Sequence, residues 1–93
     1  MNYEIMLLPE AITEMQKVFE WYEQQKAGLG FEFIEEAEDG FERLCRNPHH
    51  YSAINQNYRK LRIKRFPYLI VYEIEEGKVV IIAVKGVRQE NKF

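Results

Sequence analysis

Residues 59–72 read Arg59-Lys60-Leu61-Arg62-Ile63-Lys64-Arg65-Phe66-Pro67-Tyr68-Leu69-Ile70-Val71-Tyr72. The first half alternates. Leu61 and Ile63 fall on one side and Lys60, Arg62 and Lys64 on the other, the period-two signature of a half-buried strand. Phe66-Pro67 interrupts it, because proline has no N–H to give to a ladder. Tyr68 to Ile74 then resumes as a nearly continuous β-branched and aromatic run, the pattern of a strand covered on both faces. An antiparallel pair carrying a row of cations on one face is expected. Three like charges at alternate positions repel one another, so burial of an apolar core is not their purpose. A solvated strand face and an anionic partner each account for the row.

Downstream, Glu76-Gly77 marks a turn and Lys78 to about Val84 a further strand; upstream, Tyr58 to Arg65 sets the strand that carries the cations. His49 to Asn57 is polar and without period, so a loop is expected there. Before it, Phe33, Ile34, Ala37, Phe41 and Leu44 recur at helical spacing between about Phe31 and Cys45, with Glu32, Glu35, Glu36, Asp39 and Glu42 facing water. Asn47-Pro48 ends that helix, since a residue before proline avoids the helical region. Gly40 inside it costs up to about 1 kcal/mol against alanine, which points to close packing against the helix before it. That earlier helix opens at Pro9, where the missing N–H costs nothing, and carries Ala11, Ile12, Met15, Val18, Phe19 and Tyr22 as one apolar stripe. Trp21 sits at the stripe's edge. Gly28 and Gly30, around Leu29, leave only a short connection between the helices, which forces them antiparallel. Tyr3 to Leu8 is a short first strand whose partner periodicity does not reveal. The order is β-α-α-β-β-β, an α+β fold with a helical hairpin on one face of an antiparallel sheet. Phe19, Phe41, Leu44, Leu61, Ile63, Ile70 and Tyr72 are the expected core.

Ninety-three residues suit one domain, here 1–93, and an apolar content of 46% lets it bury a core without staples. The single Cys45 cannot form an internal disulfide and reads as a reduced, buried thiol. His49 and His50 are adjacent, the wrong spacing for a helix-borne metal site, and no Cys or acidic cluster completes one, so neither metal nor cofactor is expected. No apolar run approaches the roughly 20 residues of a membrane span. With no signal-peptide layout either, a cytoplasmic protein is expected. The net charge of −2 hides an asymmetry: residues 1–45 carry three cations against eleven acids, and residues 46–93 ten cations against four acids. Different faces are expected to meet different partners.

These words in this order resemble the RelE/ParE superfamily of bacterial toxins. The resemblance rests on Gly-Leu-Gly-Phe-Glu-Phe at 28–33, Asn47-Pro48, Arg65-Phe66-Pro67-Tyr68 followed by Tyr72, and the strand 79–84 leading into Gly86 and Arg88. It is closer to the ParE-like branch, often described as plasmid-stabilisation proteins. The resemblance implies the toxin of a type II toxin–antitoxin module, silenced by a cognate antitoxin. For the ParE-like branch it implies DNA gyrase as target; for the RelE-like branch, metal-free cleavage of messenger RNA on the ribosome. Carried over by position, the RNase set is Lys60, Arg62 and Arg88, and binding extends to Lys64 and Arg65. It is incomplete. Leu69 stands where an arginine is expected, no proton-transfer residue follows Arg88 before the chain stops at Phe93, and Lys85-Gly86-Val87 replaces the His-x-x of a ParE-like His-x-x-Arg. A non-enzymatic, gyrase-directed toxin is therefore expected, with the RNase and a degenerate, antitoxin-binding fold as alternatives. The basic row and the open sheet edge are the expected antitoxin contacts.

Overall fold

The computed structural model describes residues 2–88. Strand β1 spans Glu4–Leu7, helix α1 Pro9–Gln25, helix α2 Leu29–Arg46, β2 Arg59–Arg62, β3 Tyr68–Glu75 and β4 Lys78–Gly86. The sheet order is β1-β4-β3-β2, with β2, β3 and β4 antiparallel in sequence. β1 runs parallel to β4, Ile5 level with Val79 and Leu7 with Ile81, so the sheet is mixed rather than wholly antiparallel. The tail from Gln89 to Phe93 lies outside the described residues.

Both helices pack on one face. Ala11, Met15 and Val18 of α1 and Phe33, Ala37 and Leu44 of α2 meet Leu61, Ile70, Tyr72, Val79, Ile81 and Val84 of the sheet. Leu69 and Val71 on the opposite face are buried as well, which is why β3 reads as a continuous apolar run rather than an alternation. Leu44, Leu61, Ile63, Ile70 and Tyr72 are buried as the sequence leads one to expect. Phe19 and Phe41 are not: both are half-buried, and Ile12 stands exposed. Helical periodicity places them within the apolar stripe, but the centre of each buried face is held by its smaller or neighbouring residues, and these three sit at its margins.

The two glycines of the hairpin have separate tasks. Gly28 adopts φ 90°, the left-handed conformation that glycine reaches without a Cβ penalty. Gly30 lies within α2, and a Cβ there would come to 2.6 Å from the Phe19 carbonyl oxygen. The Glu23 carboxylate closes the turn by accepting hydrogen bonds from the Gly30 N–H (2.7 Å) and the Gly28 N–H (3.2 Å). It thereby supplies an anion and acceptor to the N-terminal end of α2, where N–H groups lack partners. Gly40, expected against α1, instead faces the sheet, where its missing Cβ leaves room for Ile70 and Leu61.

β4 extends past the end of β1, and its exposed edge is covered from α1. Glu14 accepts a hydrogen bond from the Val84 N–H at 2.9 Å and pairs with Lys85 through its other oxygen. The Val84 N–H is thereby withdrawn from pairing with an added strand.

Candidate functional site

β2 ends at Arg62, three residues earlier than alternation implies. Ile63 donates to the Tyr68 carbonyl at 2.9 Å and Tyr68 to the Phe66 carbonyl at 2.8 Å, so the chain is already turning. Arg65 sits at φ 71°, a left-handed conformation uncommon for a side chain of its size. The turn swings two of the five expected binding cations towards α2. Arg65 pairs with Glu32 at 2.5 Å and Glu36 at 3.4 Å, and Lys64 stands 3.9 Å from Asp39. Glu32, Glu36 and Asp39 recur at helical spacing on one side of α2, and they meet cations there rather than water alone. Exposed pairs of this kind contribute little stability individually; their consequence is that Lys64 leaves the basic row and Arg65 is held to α2 beside it.

Lys60 and Arg62 remain together on β2 and line a groove of about 410 Å³. More of its lining comes from the connection between α2 and β2, which the sequence presents as a patternless loop. The connection is pinned at several points. A 3₁₀ turn at Pro48–His50 begins it, and the Tyr72 hydroxyl, wholly buried, donates to the Pro48 carbonyl at 2.6 Å. Arg59 Nη1 donates to the carbonyls of Tyr51 (2.7 Å) and His49 (3.3 Å), and the Lys60 N–H to that of Ser52 (3.0 Å). Asn55 Oδ1 accepts from the N–H groups of Asn57 and Tyr58 and closes the far end. His50, Tyr51 and Ser52 are held against β2 as a result.

The groove is completed by Arg43 of α2, with Leu61 and Leu69 as apolar lining. Arg43 Nε donates to Asp39 at 3.1 Å, its side chain is 20% exposed, and its Nη2 is buried without a partner among the described residues. No carboxylate among the described residues lines the groove. Arg88 is elsewhere: it is exposed and lines a separate groove with Pro67, Tyr68, Gly86 and Val87. Leu69 lies directly across the β2–β3 pair from Arg62, where the RNase pattern calls for a guanidinium. Sequence reasoning places Lys60 and Arg62 correctly side by side and misses Arg43, His50, Tyr51 and Ser52. The one local signal for Arg43 is its spacing of four from Asp39, which fixes an intrahelical pair without showing what the rest of the guanidinium faces.

Two further groups bear on chemistry. Cys45 is half-buried, and burial first, then Glu42, pushes its thiol up, away from the thiolate a nucleophile needs. Burial pushes Tyr72 up to about 12, against the pull of Arg59 the other way. Folded Tyr72 thus keeps its proton where the unfolded chain, near 10, loses it, so stability falls as pH rises from about 10 to 12. The wild type is expected to lose on the order of 2 kcal/mol across that window that Tyr72→Phe does not lose. At neutral pH the substitution costs about 1–2 kcal/mol, because the Pro48 carbonyl is left without its donor. Denaturant unfolding on both sides of pH 10 checks this, and parallel alkaline slopes for the two proteins would refute it.

The helical hairpin laid on a four-stranded mixed sheet, in the order β-α-α-β-β-β, is the α+β arrangement that the resemblance to the RelE/ParE superfamily implies. The chain belongs to the ParE toxin family: the model for the ParE toxin of type II toxin-antitoxin system, parDE, matches residues 5–90. A chain of the chromosomal ParDE TA system from P. aeruginosa shares the fold at a TM-score of 0.80, covering 91% of this chain and 96% of that chain. Its sequence identity is 9%, so the likeness is one of fold. No curated protein matches the sequence. Among the described residues, no helix is long and apolar enough to cross a membrane, and no cluster of ligating side chains could hold a metal.

Proposed function

We propose that this toxin acts on DNA gyrase without cutting nucleic acid, that a cognate antitoxin neutralises it, and that both meet in the cytoplasm. Family membership supports the toxin reading, and the resemblance ties ParE-like members to gyrase. The observation that carries the non-enzymatic part is the division of the RNase cations. Lys60 and Arg62 line one groove, Arg88 lines another, and Leu69 faces Arg62. A transition state that gathers charge on a phosphate needs donors converging on one point, and the loss of one such donor costs around 10²–10³-fold in rate. Leucine has none to offer. Lys60, Arg62 and Arg88 stay among the proposed partner contacts, whereas Lys64 and Arg65 are drawn to α2 and do not.

The test runs two assays side by side on purified protein. Added to gyrase, it is expected to lower supercoiling or trap cleaved DNA; added to translating ribosomes, it is expected to leave the message uncut in primer extension. Message cuts that vanish in Arg62→Ala, with gyrase unaffected, would replace this reading with the RNase. Silence in both assays, with normal growth when the chain is induced alone, would leave a degenerate fold that only binds its antitoxin.

A further inference from the structure

β1 is the last strand on its side of the sheet. Its parallel pairing with β4 uses the main chain of every second residue: the Glu4 N–H donates to the Gly77 carbonyl at 3.0 Å and the Leu8 N–H to the Ile81 carbonyl at 3.1 Å. Alternation turns the N–H and C=O groups of Ile5 and Leu7 the other way, and among the described residues no hydrogen bond meets them. The Tyr3 N–H, which points the same way, is taken by the Cys45 carbonyl at 2.9 Å, so the last turn of α2 stands at the start of this open edge. There Asn2, Tyr3, Glu42, Cys45 and Arg46 line a groove of about 410 Å³. Arg46 is exposed and belongs to no ion pair among the described residues, Glu42 included; the same holds of Glu10 in the first turn of α1. Ile5 and Leu7 pack towards the core, so Met6 between them lies on the opposite face of the sheet, where it is 44% exposed.

We infer that this edge joins a second copy of the chain, the two β1 strands running antiparallel about a two-fold axis at Met6. In that register Ile5 and Leu7 of one protomer exchange both hydrogen bonds with the partner's Leu7 and Ile5, and the two sheets become one. The two Met6 side chains meet at the axis as a non-hydrogen-bonded pair, the closer of the two kinds. On the other face, half-buried Ile5 and Leu7 cover one another across the axis and continue the core. Counting outwards from Met6 sets Tyr3 opposite the partner's Pro9 and Asn2 opposite the partner's Glu10. Proline has no N–H to leave unpaired there, and the partner's strand ends where the last turn of α2 begins. The partner's Glu10 thus reaches the groove that holds Arg46, and symmetry makes this contact twice. An extended segment of another protein would find the same main-chain groups, but only a second copy brings Glu10 to Arg46, which is why the second copy is favoured. The inference does not rest on the gyrase reading, and the two can fail separately. A strand of 4 residues buries little surface, so association in the micromolar range is expected.

Sedimentation velocity of the purified chain, from about 1 to about 300 µM, is expected to show monomer passing to dimer. Met6→Lys is a change at an exposed position. It sets two ammonium groups against each other at the axis and is expected to weaken the dimer about tenfold or more. Arg46→Glu and Glu10→Arg each bring like charges together at the groove and are expected to weaken it several-fold, more at low salt than at high. The double variant restores opposite charges and is expected to return to within about twofold of wild type. Such a rescue separates contact between copies from any effect on the fold, since each change opposes the dipole of its own helix and the two together oppose both. Phe31→Ala removes the most exposed of the large apolar side chains, on the hairpin, and is expected to leave association within about twofold. A chain that stays monomeric throughout would overturn the inference. So would a dimer that survives Met6→Lys, a double variant no better than the single ones, or a dimer lost in Phe31→Ala, which would move the contact to the hairpin.

Discussion

Phe33→Ala is expected to lower stability by about 3–5 kcal/mol, a large share of what a domain of this size possesses. Phe33 is wholly buried beneath the hairpin. Its ring meets Phe66 at 5.5 Å, Tyr68 at 5.6 Å and Tyr22 at 5.9 Å, so it joins both helices to the turn that ends β2. Truncation leaves a cavity walled by rigid rings that cannot collapse into it, and each edge-to-face pair adds about 0.5–1.5 kcal/mol beyond area burial. Phe41, one further candidate for the core of the same helix, is only half-buried, and Phe41→Ala is expected to cost about half as much. Guanidinium unfolding midpoints of the two variants decide the matter. A Phe41→Ala loss equal to or above that of Phe33→Ala would show the centre of the α2 face to be wrongly placed.

Gly30→Ala is expected to destabilise by about 3 kcal/mol, the upper part of the range for overpacking, although alanine is the better helix former by about 1 kcal/mol. The new methyl would stand 2.6 Å from the Phe19 carbonyl oxygen, a backbone atom of the neighbouring helix. It cannot turn aside, so α1 and α2 must separate, and with them the Glu23 carboxylate that closes the turn. Gly40→Ala provides the contrast. Its methyl would approach the ends of Ile70 and Leu61 side chains, at 2.8 and 3.1 Å, which can shift by rotamer. The gain in helix propensity offsets much of that strain, and a net change within about 1 kcal/mol is expected. Thermal melts and denaturant midpoints of both variants test the pair, and a larger loss in Gly40→Ala would reverse the assignment of which glycine sits at the helix crossing.

The division of the cations matters for function more than their number. Five cations were expected partner contacts, and the fold sends them to three places: Lys60 and Arg62 to the groove, Lys64 and Arg65 to the acidic side of α2, Arg88 to the groove beside Tyr68. What the strand loses in charge, the groove recovers from Arg43.

The order of elements, the start of β3 at Tyr68 and the core side of β2 and β3 were legible in the sequence, because period two and period 3.6 are local properties of the chain. The resemblance to the superfamily was legible for the same reason: its words lie at turns and helix ends, where short-range backbone demands fix residue types. Periodicity says which face a residue occupies, but not which neighbour it meets there. The parallel pairing of β1 with β4, the placing of Gly30 rather than Gly40 at the helix crossing, and the turn of Lys64 and Arg65 towards α2 all depend on contacts between distant segments. The groove depends on them most. Arg43 and His50–Ser52 carry no shared pattern: Arg43 reaches the groove from α2, and His50–Ser52 join Lys60 and Arg62 there because Tyr72, Arg59 and Lys60 tie the connection to the sheet.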